Sequence, residues 1–271
     1  MKLKDRVALV TGAGSGLGQG IALAYVREGA KVVVNDIAQG GIDETLRKIA
    51  ELGGEGLGVR ADVASSQEVN VMFASIVETF GTLDILVNNA AKLDTSEKGT
   101  RARIEFYKSK TTPGPIRSLG VTRNMTDEEW QSFIDVDLTG VFYCTRAALN
   151  VMEDRGYGQI INIASVAGLS SYSAFAPHYS AAKGGVIAFT RAVAAEVIGA
   201  GVNVNCIAPG GVATPPWERA PQAARDSVLQ LIPARRMGTI EEYASLAVYL
   251  ASDDSNYIVG QVIAPTGGLL L

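Results

Sequence analysis

The chain has 271 residues, 47% of them hydrophobic, with 30 glycines and a formal net charge of −4. That length can bury a large core without a disulfide framework or a structural metal. The acidic balance gives no nucleic-acid footprint, the lone His178 leaves no His-rich metal site or spare base for a His-based triad, and no apolar run is long enough to span a bilayer.

Arg6 to Thr11 is a short β-branched run that ends in Gly12-Ala-Gly-Ser15-Gly16-Leu17-Gly18. It leads directly out of Met1-Lys-Leu-Lys-Asp-Arg6 with no signal sequence, so a cytoplasmic protein is expected. Ile21, Ala22, Tyr25 and Val26 then recur at helical spacing. Strand, glycine turn and helix bring backbone N–H groups and a helix N-terminus to a pyrophosphate, and glycines permit the close approach. The spacing departs from the usual dinucleotide fingerprint, so the context carries the reading. The next strand, Lys31 to Asn35, ends in Asp36. This carboxylate is expected either to accept hydrogen bonds from an adenosine ribose or simply to cap a turn. Its charge repels a 2′-phosphate, and Ser15 and Ile37 offer no cation to hold one, which favours NAD over NADP.

A polar helix near residues 41–52 precedes a third strand, Gly56 to Ala61, closing at Asp62-Val63. Asp62 could orient an adenine amino group or N-cap the following helix, Gln67 to Phe80. Strand four, Leu83 to Val87, runs into Asn88-Asn89-Ala90-Ala91. Strands alternating with helices at this spacing predict an α/β fold, a doubly wound parallel sheet in a single domain. Residues 92–123 break the rhythm with little periodicity and a Pro113-Gly-Pro115 turn. They hold eight basic side chains against three acidic ones. They read as an insertion loop, expected to be a solvated arm or subunit contact, with a flap that attracts an anionic substrate as the alternative.

Thr126-Asp-Glu-Glu129 is a capping box that opens a helix running to about Met152. Strand five, Gln159 to Ala164, ends in Ser165, at the end of the sheet where ligands bind. Tyr179 and Lys183, four residues apart in Tyr179-Ser-Ala-Ala-Lys183, share one face of the next helix. An ammonium about 5 Å from a phenol favours the phenolate by roughly 3 kcal/mol at an effective dielectric near 20, in range for acid–base work. His178 diverges from Tyr179 by about 100° around the helix and is expected at a pocket rim or against a neighbour. Strand six, Val202 to Ile207, ends in Pro209-Gly210-Gly-Val212-Ala-Thr214. The proline-rich stretch within 212–237 reads as a substrate lid. A helix near residues 241–251 and a last strand near 261–264 complete the chain. Cys144 and Cys206 lie in apolar runs and read as buried thiols of a reducing compartment.

With these motifs in order, TGAGSGLG at 11–18, Asp62-Val63, NNAA at 88–91, INIAS at 161–165, YSAAK at 179–183 and PGGVAT at 209–214, the chain resembles the short-chain dehydrogenase/reductase family from about Arg6 to Gly268. The resemblance implies a seven-stranded Rossmann-type sheet and a homotetramer or dimer. It makes Tyr179 the acid/base, Lys183 its partner and holder of the nicotinamide ribose, and Ser165 the group that polarises the substrate oxygen. The cofactor-binding set it implies is Gly12, Ser15, Gly16, Leu17, Gly18, Asp36, Ile37, Asp62, Val63, Asn89, Ala90, Ala91, Tyr179, Lys183, Pro209, Gly210, Val212 and Thr214.

Two positions depart from the family pattern. Asp137 stands where an asparagine supports a proton relay to the lysine, and a buried carboxylate there alters the charge around Lys183. Ala91 replaces a glycine. The 92–123 stretch exceeds what most members carry. The expected function is NAD-dependent hydride transfer between a secondary alcohol and its ketone, with Val166, Phe175 and Trp217 as walls for a cyclic, aromatic or bulky substrate. The alternative is a 3-oxoacyl thioester reductase whose basic stretch receives an anionic carrier. A non-catalytic dinucleotide sensor is a remote reading, since both Tyr179 and Lys183 stand. No metal, nucleic acid or membrane partner is expected.

Overall fold

The computed structural model describes residues 1–115, 117–214, 217 and 222–270. Continuous apolar runs form the centre of the sheet because a parallel strand is covered on both faces. β1 (Val7–Val10) and β4 (Ile85–Asn88) are buried at every position, as are β5 (Gly158–Ile163) and β6 (Val202–Ile207). With β2 (Lys31–Asp36), β3 (Gly56–Arg60) and β7 (Val262–Ile263), they make a seven-stranded parallel sheet in the order β3-β2-β1-β4-β5-β6-β7. The chain winds outward from β1 to β3, then returns to lay β4 beside β1, with Ala8 opposite Ile85. This reversal opens a crevice at the carboxyl ends of β1 and β4.

Helices cover both faces. α1 (Gly16–Arg27), α2 (Gln39–Glu51) and the last helix, Ile240–Ala251, share one core that includes Ile21, Tyr25, Ile42, Ile49 and Ala247. Gly20 of α1 lets that last helix approach, because a Cβ there would strike the Ile240 side chain. α3 (Ser66–Phe80) packs on the other face through Val69, Met72 and Ile76, against Cys144, Ala148 and Met152. Both cysteines are free and buried, and burial pushes the Cys144 thiol up to about 12 and Cys206 to about 11. No helix among the described residues is long and apolar enough to cross a membrane.

The 92–123 segment is not a loop. Residues Glu97–Thr111 form a 15-residue helix, α4, capped by the Ser96 hydroxyl, which accepts from Gly99 N. Its inward stripe is Gly99, Ala102 and Phe106. Two of those three residues are small and most of the rest of the helix is charged or polar, so the periodic signal is faint.

α5 (Asp127–Ile134) begins at the expected capping box of Thr126 and Glu129. The single long helix expected after it is interrupted by a π-helical turn, Asp135–Thr139, before α6 (Gly140–Arg155) resumes. The Tyr-bearing helix is α7 (Pro177–Val197), started by proline at its first position. α8 (Gln222–Leu231), which the sequence reading omitted, packs against α4, so the segments leaving β4 and β6 meet over the carboxyl end of the sheet. The Ile240–Ala251 helix is α9.

Candidate active site

The crevice is bounded by two loops stitched together. Thr11 Oγ1 accepts from Asn89 N at 2.9 Å and Ala90 N at 3.0 Å, and Asn89 Nδ2 donates to Thr11 O at 2.9 Å and Gly12 O at 3.2 Å. Gly12 has φ +63°, and a Cβ on it would lie 2.8 Å from Ala90 Cα. A Cβ on Gly18 would strike Gly12 O and Asn89 Nδ2. Ser15 begins α1 without spending its side chain on a cap, and no acidic residue occupies the first turn of that helix. Free N–H groups, an uncommitted hydroxyl and the positive end of a helix suit a pyrophosphate, and the glycine cradle leaves room for one. These residues fit a dinucleotide. Thr11 was missed by sequence reasoning, although it directly precedes the glycine turn.

At the end of β2, Asp36 Oδ2 accepts from Gly14 N at 3.0 Å and Oδ1 from Ala38 N at 3.0 Å. The carboxylate thus caps a turn and braces the glycine loop, and an ionised carboxylate retains further acceptor sites for a ribose. Ile37 beside it is exposed. Ser15 and Ile37 bring no cation, but strand pairing sets Arg60 opposite Asp36, and Arg60 Nε donates to Ile37 O at 3.1 Å. Asp62 does not cap α3, because Ser65 holds that position. Instead, Asp62 Oδ1 accepts from Ala64 N at 2.9 Å. Val63 is buried against Gly140, where a Cβ would come within 2.9 Å of Val63 Cγ2.

Ser165 follows β5, and its Oγ accepts from Ala167 N at 3.1 Å, which leaves its own proton free to donate. The turn after it, Val166–Gly168, is pressed on α7 so closely that a Cβ on Gly168 would lie 2.6 Å from Lys183 C. Lys183 is buried. Its Nζ donates to Ile163 O at 3.1 Å and lies 3.1 Å from Asp137 Oδ1 and 5.6 Å from the Tyr179 ring centre. One ammonium proton is directed to Ile163 O, and Asp137 Oδ1 meets the ammonium as an ion pair. Asp137 Oδ2 meanwhile accepts from Lys92 N at 3.1 Å.

Burial pushes the Asp137 carboxyl above the usual carboxylate range against the pull of Lys183. Burial alone would lower Lys183, but the Asp137 carboxylate holds it above its ordinary value. The change of charge expected around Lys183 from a buried carboxylate at position 137 takes the form of a neutralised pair beside Tyr179. The Tyr179 hydroxyl has no protein hydrogen-bond partner among the described residues. Behind the site, Asn88 donates to Asn162 Oδ1 at 2.8 Å and Asn162 to Thr190 Oγ1 at 2.9 Å, a buried chain that locks β4, β5 and α7 in register.

The cover is aromatic. Phe175 packs on Phe106 and Tyr107 of α4, with ring centres 5.6 and 5.7 Å apart. His178 lies edge-on to Phe133 at 3.9 Å and is buried. Phe175, His178, Lys92 and Phe133 line a cavity of about 270 Å³ roofed by the start of α4. Val166 is buried, and its N–H is bound to Pro209 O at 2.9 Å, so it backs the site. Gly210 N donates to Pro265 O at 3.2 Å, and Val212 bridges to Gly238. Thr214 faces the glycine turn, its Cγ2 4.0 Å from a Cβ placed on Gly16, and Trp217 N returns to Thr214 O at 2.8 Å. Ala91 is exposed beside Lys92. Pro215, Pro216 and Pro221 of the expected lid lie outside the described residues.

A family model described as short chain dehydrogenase matches residues 6–224. The chain is 35% identical over 268 residues to the (2S)-((R)-hydroxy(phenyl)methyl)succinyl-CoA dehydrogenase subunit BbsD of Thauera aromatica, covering 99% of this chain and 98% of the relative. It is 33% identical over 276 residues to a 3-oxoacyl-(acyl-carrier-protein) reductase of Thermotoga maritima, with 100% of both chains covered. Its structure is similar to that of a putative gluconate dehydrogenase from Agrobacterium tumefaciens, with a TM-score of 0.86, 31% identity, and 100% of this chain and 98% of the other covered.

Proposed function

The chain belongs to the short chain dehydrogenase family, and on that premise we propose that it interconverts a secondary alcohol and its ketone with NAD as the hydride carrier. The family binds a nicotinamide dinucleotide, which when bound takes up or gives the hydride. Gly12, Ser15, Gly16, Leu17 and Gly18 would hold its pyrophosphate, and Asp36 with Ile37 its adenosine ribose. Asp62 and Val63 would flank its adenine, with Asn89, Ala90 and Ala91 along its middle. Pro209, Gly210, Val212 and Thr214 would line its nicotinamide end. NAD is favoured by the carboxylate at the end of β2.

At the substrate oxygen, the Tyr179 hydroxyl transfers the proton and the Ser165 hydroxyl donates a hydrogen bond. Beyond the N–H directed to Ile163 O, the Lys183 ammonium, held by its ion pair with Asp137, can offer an N–H to a ribose hydroxyl or to Tyr179. Asp137 positions Lys183. Phe175, with Trp217 as a second wall, supports a cyclic, aromatic or otherwise bulky substrate, and Val166 backs the floor.

The observation that carries this reading is the fixation of Ser165 and Lys183, one by Ala167 N and the other by Ile163 O, at the end of β5. Secondary alcohols assayed with NAD and with NADP, following absorbance of the reduced cofactor, test it. Reduction of NAD by bulky secondary alcohols, lost in Tyr179→Phe, is the expected result. Full activity in that variant would overturn the role of Tyr179.

A further inference from the structure

A second concavity lies outside the catalytic crevice. It is a groove of about 660 Å³ between the last turns of α4 and residues 117–123, lined by Lys110, Arg117 and Arg123 together with Phe106, Thr122 and Ala174. Among the described residues, no acidic side chain lines it. Of the eight basic residues between 92 and 123, only Lys98 forms an ion pair among the described residues, with Glu129. Lys110 has the Phe106 ring 5.3 Å below its ammonium, and Arg117 and Arg123 have no acidic partner among the described residues. Basic residues in the last turn of a helix complement its dipole, which accounts for Lys108 and Lys110. It does not account for Arg117 and Arg123, which lie beyond the helix.

The groove also communicates with the catalytic side. Val121 lines both it and the cavity beside His178. Ala174 at its edge is next to Phe175, whose ring meets Phe106, so one aromatic wall runs from the groove to the residues preceding Tyr179.

We propose that this groove binds the phosphates of a substrate's nucleotide tail, so that the alcohol or ketone arrives on a phosphorylated carrier arm of the coenzyme A type. Guanidinium forks and an ammonium are the side chains that recognise phosphate oxygens, and a cluster without counter-charge leaves them available. The volume is that of a small-molecule site, whereas an acidic carrier protein would need a broad, flat basic face. The overall charge of −4 makes this a local field confined to one side of the molecule. The inference names the substrate class of the dehydrogenase reading and rests on it, although the binding of the tail does not require turnover.

The test uses the whole chain saturated with NAD, so that the dinucleotide's own adenosine site is filled, and titrates coenzyme A by calorimetry. The comparison is with a Lys110→Ala/Arg117→Ala/Arg123→Ala variant. All three side chains are exposed, so their replacement leaves the core intact. Saturable binding that weakens with salt and falls about tenfold or more in the variant, with NAD affinity unchanged, is expected. In turnover, the KM for a hydroxyacyl-coenzyme A should rise by a similar factor at constant kcat. The KM for the same acyl group on a short, phosphate-free thiol should stay unchanged. No coenzyme A binding by the parent, equal binding by the variant, or a variant defect seen only with an acyl-carrier protein would each overturn the proposal. Retained binding with no turnover of any alcohol would leave the groove standing and count against the dehydrogenase reading alone.

Discussion

The Asp137 carboxylate and the Lys183 ammonium are 3.1 Å apart, with their side chains 0% and 2% exposed. The pair places a near-neutral unit where a lone lysine would project a full positive charge toward Tyr179. Asp137→Asn restores that charge while keeping the side-chain shape, so the acid limb of the kcat profile should move to lower pH by about one unit. An unmoved limb would show that the carboxylate does not set the working pH. Asp137→Ala leaves a buried ammonium unpaired and should cost about 3 kcal/mol or more in denaturant unfolding. It also frees the backbone N–H of Lys92.

Tyr179→Phe removes the only proposed proton-transfer group without disturbing a protein hydrogen bond. Turnover should fall by about 100-fold or more, the range of a lost general acid–base. NAD affinity by fluorescence titration should remain within a few-fold of the parent, because the glycine turn is untouched.

Asp36→Ala should lower the ratio of kcat/KM for NAD over NADP by about tenfold or more, since the repelling carboxylate goes while Arg60 stays opposite the same position. Both cofactors should also bind less tightly, because Gly14 N loses its acceptor. A ratio unchanged by the substitution would place discrimination elsewhere.

His178 is the single histidine of the chain, so its titration can be followed alone by NMR. Burial lowers its pKa below the ordinary imidazole value. The unfolded chain therefore takes up a proton near its ordinary value before the folded one does, and stability falls as pH drops through and below that value. His178→Leu should flatten the dependence of Tm on pH between about 6.5 and 5, and an unchanged slope would assign the acid sensitivity to other groups.

Gly18→Ala drives a methyl group into Gly12 O and the Asn89 amide. A loss of about 1–3 kcal/mol in unfolding free energy is expected, with weakened dinucleotide binding. An unaffected protein would show that the two loops are not held as tightly as their hydrogen bonds imply.

The strands were readable in advance because a parallel strand buried on both faces must be written in unbroken apolar residues, as Val32-Val33-Val34 and Ile160-Ile161 are. The capping box at Thr126 was readable because it is a local exchange of hydrogen bonds over four residues. α4 was not, since its inward stripe of Gly99, Ala102 and Phe106 carries one large apolar side chain. Nor was the π-helical turn at Asp135–Thr139, where Gly140 N reaches Asp135 O. Its one-residue bulge leaves no mark on composition, yet Asp137 sits within it.

The sequence by itself determined the sheet, the glycine turn and the shared helix face of Tyr179 and Lys183, because each depends on residue types over short stretches of chain. Tertiary structure alone decided that Arg60 stands opposite Asp36, that Phe175 meets Phe106 and Tyr107 of α4, and that Lys110, Arg117 and Arg123 gather around a groove. Those relationships join residues far apart in the chain, and their energies depend on distance and burial, which sequence spacing does not specify.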